Sequence, residues 1–207
     1  MTYSIVAYDF EAKLIGVGVV SGSIAVGSRV PWARAGIGGV ATQAYTNPVI
    51  GVRILRFLEE GYNAGEALFR ALALDPSPSM RQVAVVSVKG DTATHTGNSV
   101  PRHYGEHRGH GYACIGNMLA SRRVVDVVCK TFTNTKGGLA ERILEALEAG
   151  HREGGDLRGD HSAAILVVGE HPIYGREYDK IIDLRVDYSS NPIEQLKELY
   201  MLWIRSR

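Results

Sequence analysis

Gly36-Ile-Gly-Gly-Val-Ala-Thr-Gln-Ala-Tyr-Thr-Asn-Pro-Val-Ile-Gly51 is the stretch on which the fold turns. Its small apolar residues read as a buried strand. The polar turn Thr46-Asn47-Pro48 breaks that strand, and a helix follows. Asn47 suits the cap of the helix and Pro48 its first position, where a missing N–H costs nothing. Thr42, Gln43 and Asn47 therefore sit where a strand end meets a helix start. Backbone N–H groups are unpaired there and can hold an anion or an oxyanion. The same residues would serve equally well to build the turn alone.

Gly36-Ile-Gly38-Gly-Val-Ala41 also matches the dinucleotide pattern G-x-G-x-x-A. That pattern needs a helix opening inside the motif and an acidic residue ending the next strand. Here strand-like sequence continues past the glycines, and the acids downstream, Glu59 and Glu60, fall on the helix. A nucleotide site is rejected.

The 207 residues suffice for one domain, 1–207, with a substantial core. The formal net charge of +1 gives no reason to expect nucleic acid or an anionic membrane as partner. No apolar run reaches spanning length, and no basic region with a signal-type apolar core precedes the first strand, so a cytoplasmic protein is expected. Cys114 and Cys129 lie outside any metal-type spacing and read as buried thiols. The 24 glycines suggest tight packing between sheets.

In chain order, Tyr3–Tyr8 is a strand, with Ser4, Val6 and Tyr8 on one face and Tyr3, Ile5 and Ala7 on the other. Leu14–Val20 returns, apolar on both faces as in a sheet covered on both sides. Val30–Arg34 is an extended link. The helix after Pro48 is apolar except for Arg53, Arg56 and Glu60, which predicts cover on most sides. Asn63 and Glu66 form a capping box for a second helix reaching about Leu74.

Gln82–Val88 and Thr92–Thr96 are a hairpin. Asn98–Gly111 is a polar loop rich in His and Arg, and Tyr112–Ile115 a short strand. Helices follow over roughly Ser121–Phe132 and Leu139–Ala149. Ser162–Val168 is a buried strand, and Lys180–Asp187 alternates cleanly. Asn191 caps a last helix carrying Leu196, Leu199, Tyr200 and Trp203. Hairpins alternating with helix pairs predict an α+β fold: a four-layer αββα sandwich with mostly antiparallel sheets.

Several motifs then converge in order: Thr2-Tyr-Ser-Ile-Val-Ala, Gly38-Gly-Val-Ala-Thr-Gln-Ala-Tyr-Thr-Asn-Pro, Thr96-Gly97, Gly116-Asn117-Met-Leu, Gly154-Gly-Asp-Leu-Arg-Gly-Asp-His-Ser-Ala-Ala and Asp183-Leu-Arg-Val-Asp. Over nearly the whole chain this set resembles domain of unknown function 1028, a family placed in the N-terminal-nucleophile (Ntn) hydrolase-like superfamily. One departure is visible: His161 stands where the family usually has Gln. The resemblance implies the same four-layer sandwich. It implies no known substrate; the motif set together with Thr2 at the start leads to the expectation of a hydrolase for a small amide or related C–N bond, with no cofactor. The alternative from another class is a non-catalytic ligand-binding or assembly module on the same sandwich.

Ntn chemistry uses the first residue of the mature chain. Its side-chain oxygen attacks an amide carbonyl, and its own α-amine, titrating near ~8, acts as base. Thr2 follows Met1 and is small enough for removal of the initiator Met, so Thr2 is the expected nucleophile. Asn117, after a glycine at a strand end, is placed to donate to a tetrahedral intermediate. Ser21, ending the second strand, should lie beside Thr2. Thr42, Gln43 and Asn47 are expected substrate contacts. Asp156 and Arg158, in a tight glycine loop, either polarise the nucleophile and bind a substrate carboxylate or brace the loop as an ion pair.

Two clusters are set aside. Asp160-His161-Ser162 holds triad residue types, but neighbours on a strand point to opposite faces. His103, His107 and His110 are separated by Gly105 and Gly109 and lack a complete donor set, so no metal site is expected. The expected partners are a small-molecule ligand and, from the apolar Tyr200, Trp203 and Ile204, further copies of the chain in a homodimer or larger assembly.

Overall fold

Strands and helices alternate along the chain in a computed structural model that describes residues 2–175 and 177–206. The strands are β1 (Thr2–Asp9), β2 (Leu14–Ser21), β3 (Pro31–Arg34), β4 (Gly38–Ala44), β5 (Arg81–Ser87), β6 (Thr92–Thr96), β7 (Gly105–Gly109), β8 (Tyr112–Asn117), β9 (Ser162–Val168) and β10 (Lys180–Val186). The helices are α1 (Pro48–Glu59), α2 (Ala64–Ala73), α3 (Arg123–Asn134), α4 (Leu139–Arg152) and α5 (Pro192–Arg205). One sheet has the order β10-β9-β2-β1-β8-β7, the other β3-β4-β5-β6. Every strand pairing is antiparallel.

Period-2 alternation sorts the side chains into layers. Tyr3, Ile5 and Ala7 of β1 face outward and pack with Val125, Ile143, Leu147 and Leu196 of α3, α4 and α5. Val6, Val17, Val19, Ala41, Ala84 and Ile115 face inward and pack between the two sheets. Val40, Val83 and Val85 face α1 and α2. The result is the four-layer αββα sandwich. No helix among the described residues is long and apolar enough to cross a membrane.

Local signals explain several elements. Asn47 Oδ1 accepts the Val49 N–H at 3.1 Å, and both bonds of the Asn63–Glu66 capping box form. Gly18 lies under α4: a Cβ there would run into the Ile143 side chain, so glycine sets how closely helix and sheet approach.

Other expectations are corrected. Cys114 and Cys129 are not thiols: they form a disulfide between β8 and α3. Both face the layer between that sheet and its helices, which brings them together across 15 residues of sequence. Pro31–Arg34 is an edge strand rather than a link, and Gly105–Gly109 is a second edge strand inside the predicted loop. α1 buries Ile50, Ile54, Leu55 and Leu58, but Val49 and Val52 are exposed, so it is covered on one side rather than most. Asn191 occupies the cap position of α5 without a side-chain cap bond. On that helix Leu196 is buried and Tyr200 and Trp203 pack against the core, while Leu199 is exposed.

Candidate active site

The head of β1 lies at one end of the inter-sheet layer. In register across the six-stranded sheet, Ser162 pairs with Ser21, Ser21 with Thr2, and Thr2 with Asn117. Alternation points all four inward, so an apolar core of valines ends in a polar row. The opposite sheet answers with Gln43 and Gln82, paired across β4 and β5. All six side chains are buried, Thr2 being 5% exposed.

A chain of amides joins the sheets. Gln82 Nε2 donates to the Gly116 carbonyl at 2.9 Å and to Thr96 Oγ1 at 3.0 Å. A carbonyl can only accept, so this fixes which end of Gln82 is nitrogen. Its Oε1 then accepts from Gln43 Nε2 at 2.8 Å and Asn117 Nδ2 at 3.0 Å. Gln43 Nε2 also donates to the Thr2 carbonyl at 3.1 Å, and its Oε1 accepts from Ser4 Oγ at 2.6 Å. Asn117 is thereby turned so that its Nδ2 is committed to Gln82. Its Oδ1 is buried, with no hydrogen-bond partner among the described residues. Residue type suggested an amide donor; the structure presents an unmet acceptor one strand away from Thr2.

Thr2 Oγ1 lies 3.1 Å from Ser21 Oγ, and Ser21 Oγ lies 2.9 Å from Ser23 Oγ. Arg29 Nη2 donates to Ser23 Oγ at 2.7 Å. A guanidinium can only donate, so Ser23 Oγ accepts from Arg29; in the Ser23–Ser21 and Ser21–Thr2 pairs either hydroxyl can be the donor, and Ser21 Oγ also accepts the Ser23 N–H at 3.1 Å. Ser162 Oγ turns away to the Ser23 carbonyl at 2.6 Å.

Asp156, buried in the loop before β9, accepts the Gly22 N–H at 2.6 Å and the Arg158 N–H at 2.9 Å. A Cβ at Gly22 would lie 2.7 Å from the Asp156 carboxyl carbon, so only glycine admits this approach. Arg158 pairs with Asp156 at 3.3 Å. Behind the sheet, Asp160 accepts from the Tyr3 hydroxyl at 2.8 Å, meets His151 Nδ1 at 2.8 Å and takes the Asp156 N–H at 3.0 Å. Burial, and next the Asp160 carboxylate, push the Tyr3 phenol well above its ordinary pKa, so it stays protonated and donates.

The structure brings Thr2, Ser21, Gln43 and Asn117 together and sets Asp156 and Arg158 beside Gly22. It does not bring Thr42 or Asn47 there. Thr42 faces α1, its hydroxyl directed at the Asn47 carbonyl at 3.4 Å. Asn47 Nδ2 donates to Asp75, which also pairs with Arg81. Gln82 and Ser4 belong to the cluster and were not singled out by sequence; the signal was a polar residue on the inward face of an otherwise apolar strand. Asp160, His161 and Ser162 diverge, His161 stacking on Tyr188. His107 pairs with Asp126 and His110 stacks on Phe10.

A cleft of about 210 Å³ opens at this end, lined by Ala44, Tyr45, Pro101, Asn117, Met118 and Arg158. Thr2 is not among its lining residues. The larger groove of about 720 Å³ runs between α4 and α5 and touches none of the polar row.

No curated protein matches the chain. The solved structure of protein SPO2555 from Silicibacter pomeroyi is 30% identical, covering 97% of this chain and 84% of that one with a TM-score of 0.88. Eukaryotic HslV from Trypanosoma brucei is 11% identical over 82% of this chain and 99% of that one, with a TM-score of 0.45. Anbu (ancestral beta-subunit) from Yersinia bercovieri is 9% identical over 99% and 95%, with a TM-score of 0.44. The family model described as Family of unknown function (DUF1028) matches residues 2–196, and the chain belongs to that family.

Proposed function

We propose that this chain is an N-terminal-nucleophile hydrolase cleaving a small amide or related C–N bond, with Thr2 as nucleophile once Met1 is removed. Met1 lies outside the described residues. One observation carries the proposal: Thr2 heads β1, and its hydroxyl is linked through Ser21 and Ser23 to the Arg29 guanidinium. With Ser23 donating to Ser21 and Ser21 to Thr2, this link would favour the oxygen as it becomes an attacking alkoxide.

In this scheme the freed α-amine takes the hydroxyl proton while Oγ1 bonds to the amide carbon. The C–N bond breaks, the amine leaves with that proton, and water hydrolyses the resulting ester. Asn117 Oδ1, one strand away and unmet, is the acceptor that would orient the amine. Gln43 holds the Thr2 carbonyl in place.

A second reading, a non-catalytic binding module, is favoured by the burial of Thr2 and its absence from the cleft lining. A panel of small amides assayed with native chain and with Thr2→Ala separates the two. The hydrolase predicts amine release that Thr2→Ala abolishes; release that persists in Thr2→Ala excludes it.

A homo-oligomer completes the proposal; the expected cytoplasmic location is not carried into it. Exposed Leu199, Met201, Leu202 and Ile204 on α5 support the first. The Cys114–Cys129 bridge argues against the second, because disulfides persist in oxidising compartments.

A further inference from the structure

We propose that the cleft beside β1 selects small amides that carry a carboxylate, with the Arg158 guanidinium as the carboxylate's partner. This rests on the amide-hydrolase proposal for Thr2 and names the substrate class of that site.

Ala44, Pro101, Met118 and the Tyr45 ring give the cleft apolar walls, Asn117 and Arg158 bring polar groups, and Arg158 is the one charged residue among the described residues that line it. That charge is incompletely matched. Asp156 divides its two oxygens among the Gly22 N–H, the Arg158 N–H, and Arg158 Nε and Nη2 at 3.4 and 3.3 Å. Those side-chain contacts are longer than charge-assisted bonds, which run near ~2.8 Å. No described residue accepts from Nη1. Half of the Arg158 side chain is exposed while its acidic partner is sealed. A fork held at its base by a buried acid, with an edge left over, suits a planar carboxylate. Arg81 is already held by Asp75 and the Tyr45 carbonyl, and Arg29 by Ser23 Oγ and the Ile24 and Ala25 carbonyls.

The walls of the cleft are built at a conformational cost. Ala44 at φ 69° and Met118 at φ 50° both adopt the left-handed region without being glycine. Ala44 follows Gln43, which holds the Thr2 carbonyl, and Met118 follows Asn117, the cross-strand neighbour of Thr2. The two sheets thus place a strained residue on each flank of the β1 head, as functional clefts often do. The volume of about 210 Å³ takes roughly seven water-sized groups. That is the size of a small N-acetyl amino acid.

The test uses the full chain carrying Thr2→Ala, so that binding is read without turnover. N-acetyl amino acids from glycine to glutamate and their uncharged carboxamides are titrated calorimetrically. The carboxylates are expected to bind about tenfold or more tightly than the carboxamides. Adding Arg158→Leu should erase that preference, and Arg158→Lys, which keeps the charge but not the fork, should retain part of it. Circular dichroism establishes that each variant is folded. Equal binding of the two series, no binding of either, or a preference that survives Arg158→Leu overturns the inference. The hydrolase proposal fails separately: carboxylate-selective binding without Thr2-dependent turnover sinks the mechanism alone. Thr2-dependent turnover that favours neutral amides sinks the substrate class alone.

Discussion

Gln82→Met keeps most of the volume of a fully buried side chain and deletes the amide that joins the two sheets. Asn117 Nδ2 loses its partner at 3.0 Å, while Gln43 Nε2 loses one partner and keeps the Thr2 carbonyl. The Gly116 carbonyl loses a donor at 2.9 Å. A stranded buried donor costs about 1–3 kcal/mol and each weakened bond about 0.5–1.5 kcal/mol, so the sum is about 3 kcal/mol. For a chain of this length that lowers Tm by roughly 6–12 °C. Thr96→Val removes one outer acceptor of Gln82, at 3.0 Å, and an exposed bond to Glu106, and is expected to cost about 1 kcal/mol or less. Urea unfolding with unchanged m-values measures both. A loss below about 1 kcal/mol for Gln82→Met, or equal losses for the two variants, would refute the claim that Gln82 is the hub.

Opening the Cys114–Cys129 bridge by reduction or by Cys129→Ala releases a link across 15 residues and should cost about 3 kcal/mol, read as a lower Tm under reducing conditions. Stability should fall on acidification. Burial alone would raise the Asp75 carboxyl, but Asn47, the Ser77 N–H and Arg81 outweigh it and hold it below the usual range. Asp91 behaves likewise through the Ala64 N–H and Ser87. Folded-state pKa values below unfolded ones give stability that is present above about pH 4 and lost as pH falls through the folded values. Asp75→Asn and Asp91→Asn should flatten that slope in pH-dependent melting, and an unchanged slope counts against these assignments. Leu202→Glu on the exposed face of α5 should convert an oligomer to monomer in light scattering, whereas a wild-type chain already monomeric at micromolar concentration rejects that interface.

Much of the fold was legible because local chemistry and the final environment agree. Asn47-Pro48 is a helix-start signal in local chemistry and caps α1 as such, and the valine-rich runs of β2, β5 and β9 are buried on both faces. The two strands that escaped notice, β3 and β7, are sheet edges. Pro31 opens one, and Glu106, His107 and Arg108 fill the other, so neither carries the apolar alternation of a covered strand. The disulfide was invisible because its halves meet only after β8 and α3 have packed.

At the site, strand ends pointed to Thr2, Ser21 and Asn117, and register brought them side by side. Thr42 and Gln43 could not both belong, because adjacent strand residues face opposite ways. Gln82 gains its meaning only from the opposite sheet. The orientation of Asn117, acceptor rather than donor, is fixed by the Gly116 carbonyl two bonds away.

The most direct test of the account is the first residue of the folded chain, read by intact mass and by fragmentation of the N-terminal peptide. The account predicts that Met1 is absent and that Thr2 carries a free α-amine. Protein that retains Met1 throughout and still hydrolyses amides contradicts it, because the attacking hydroxyl would then lack the base that the mechanism requires.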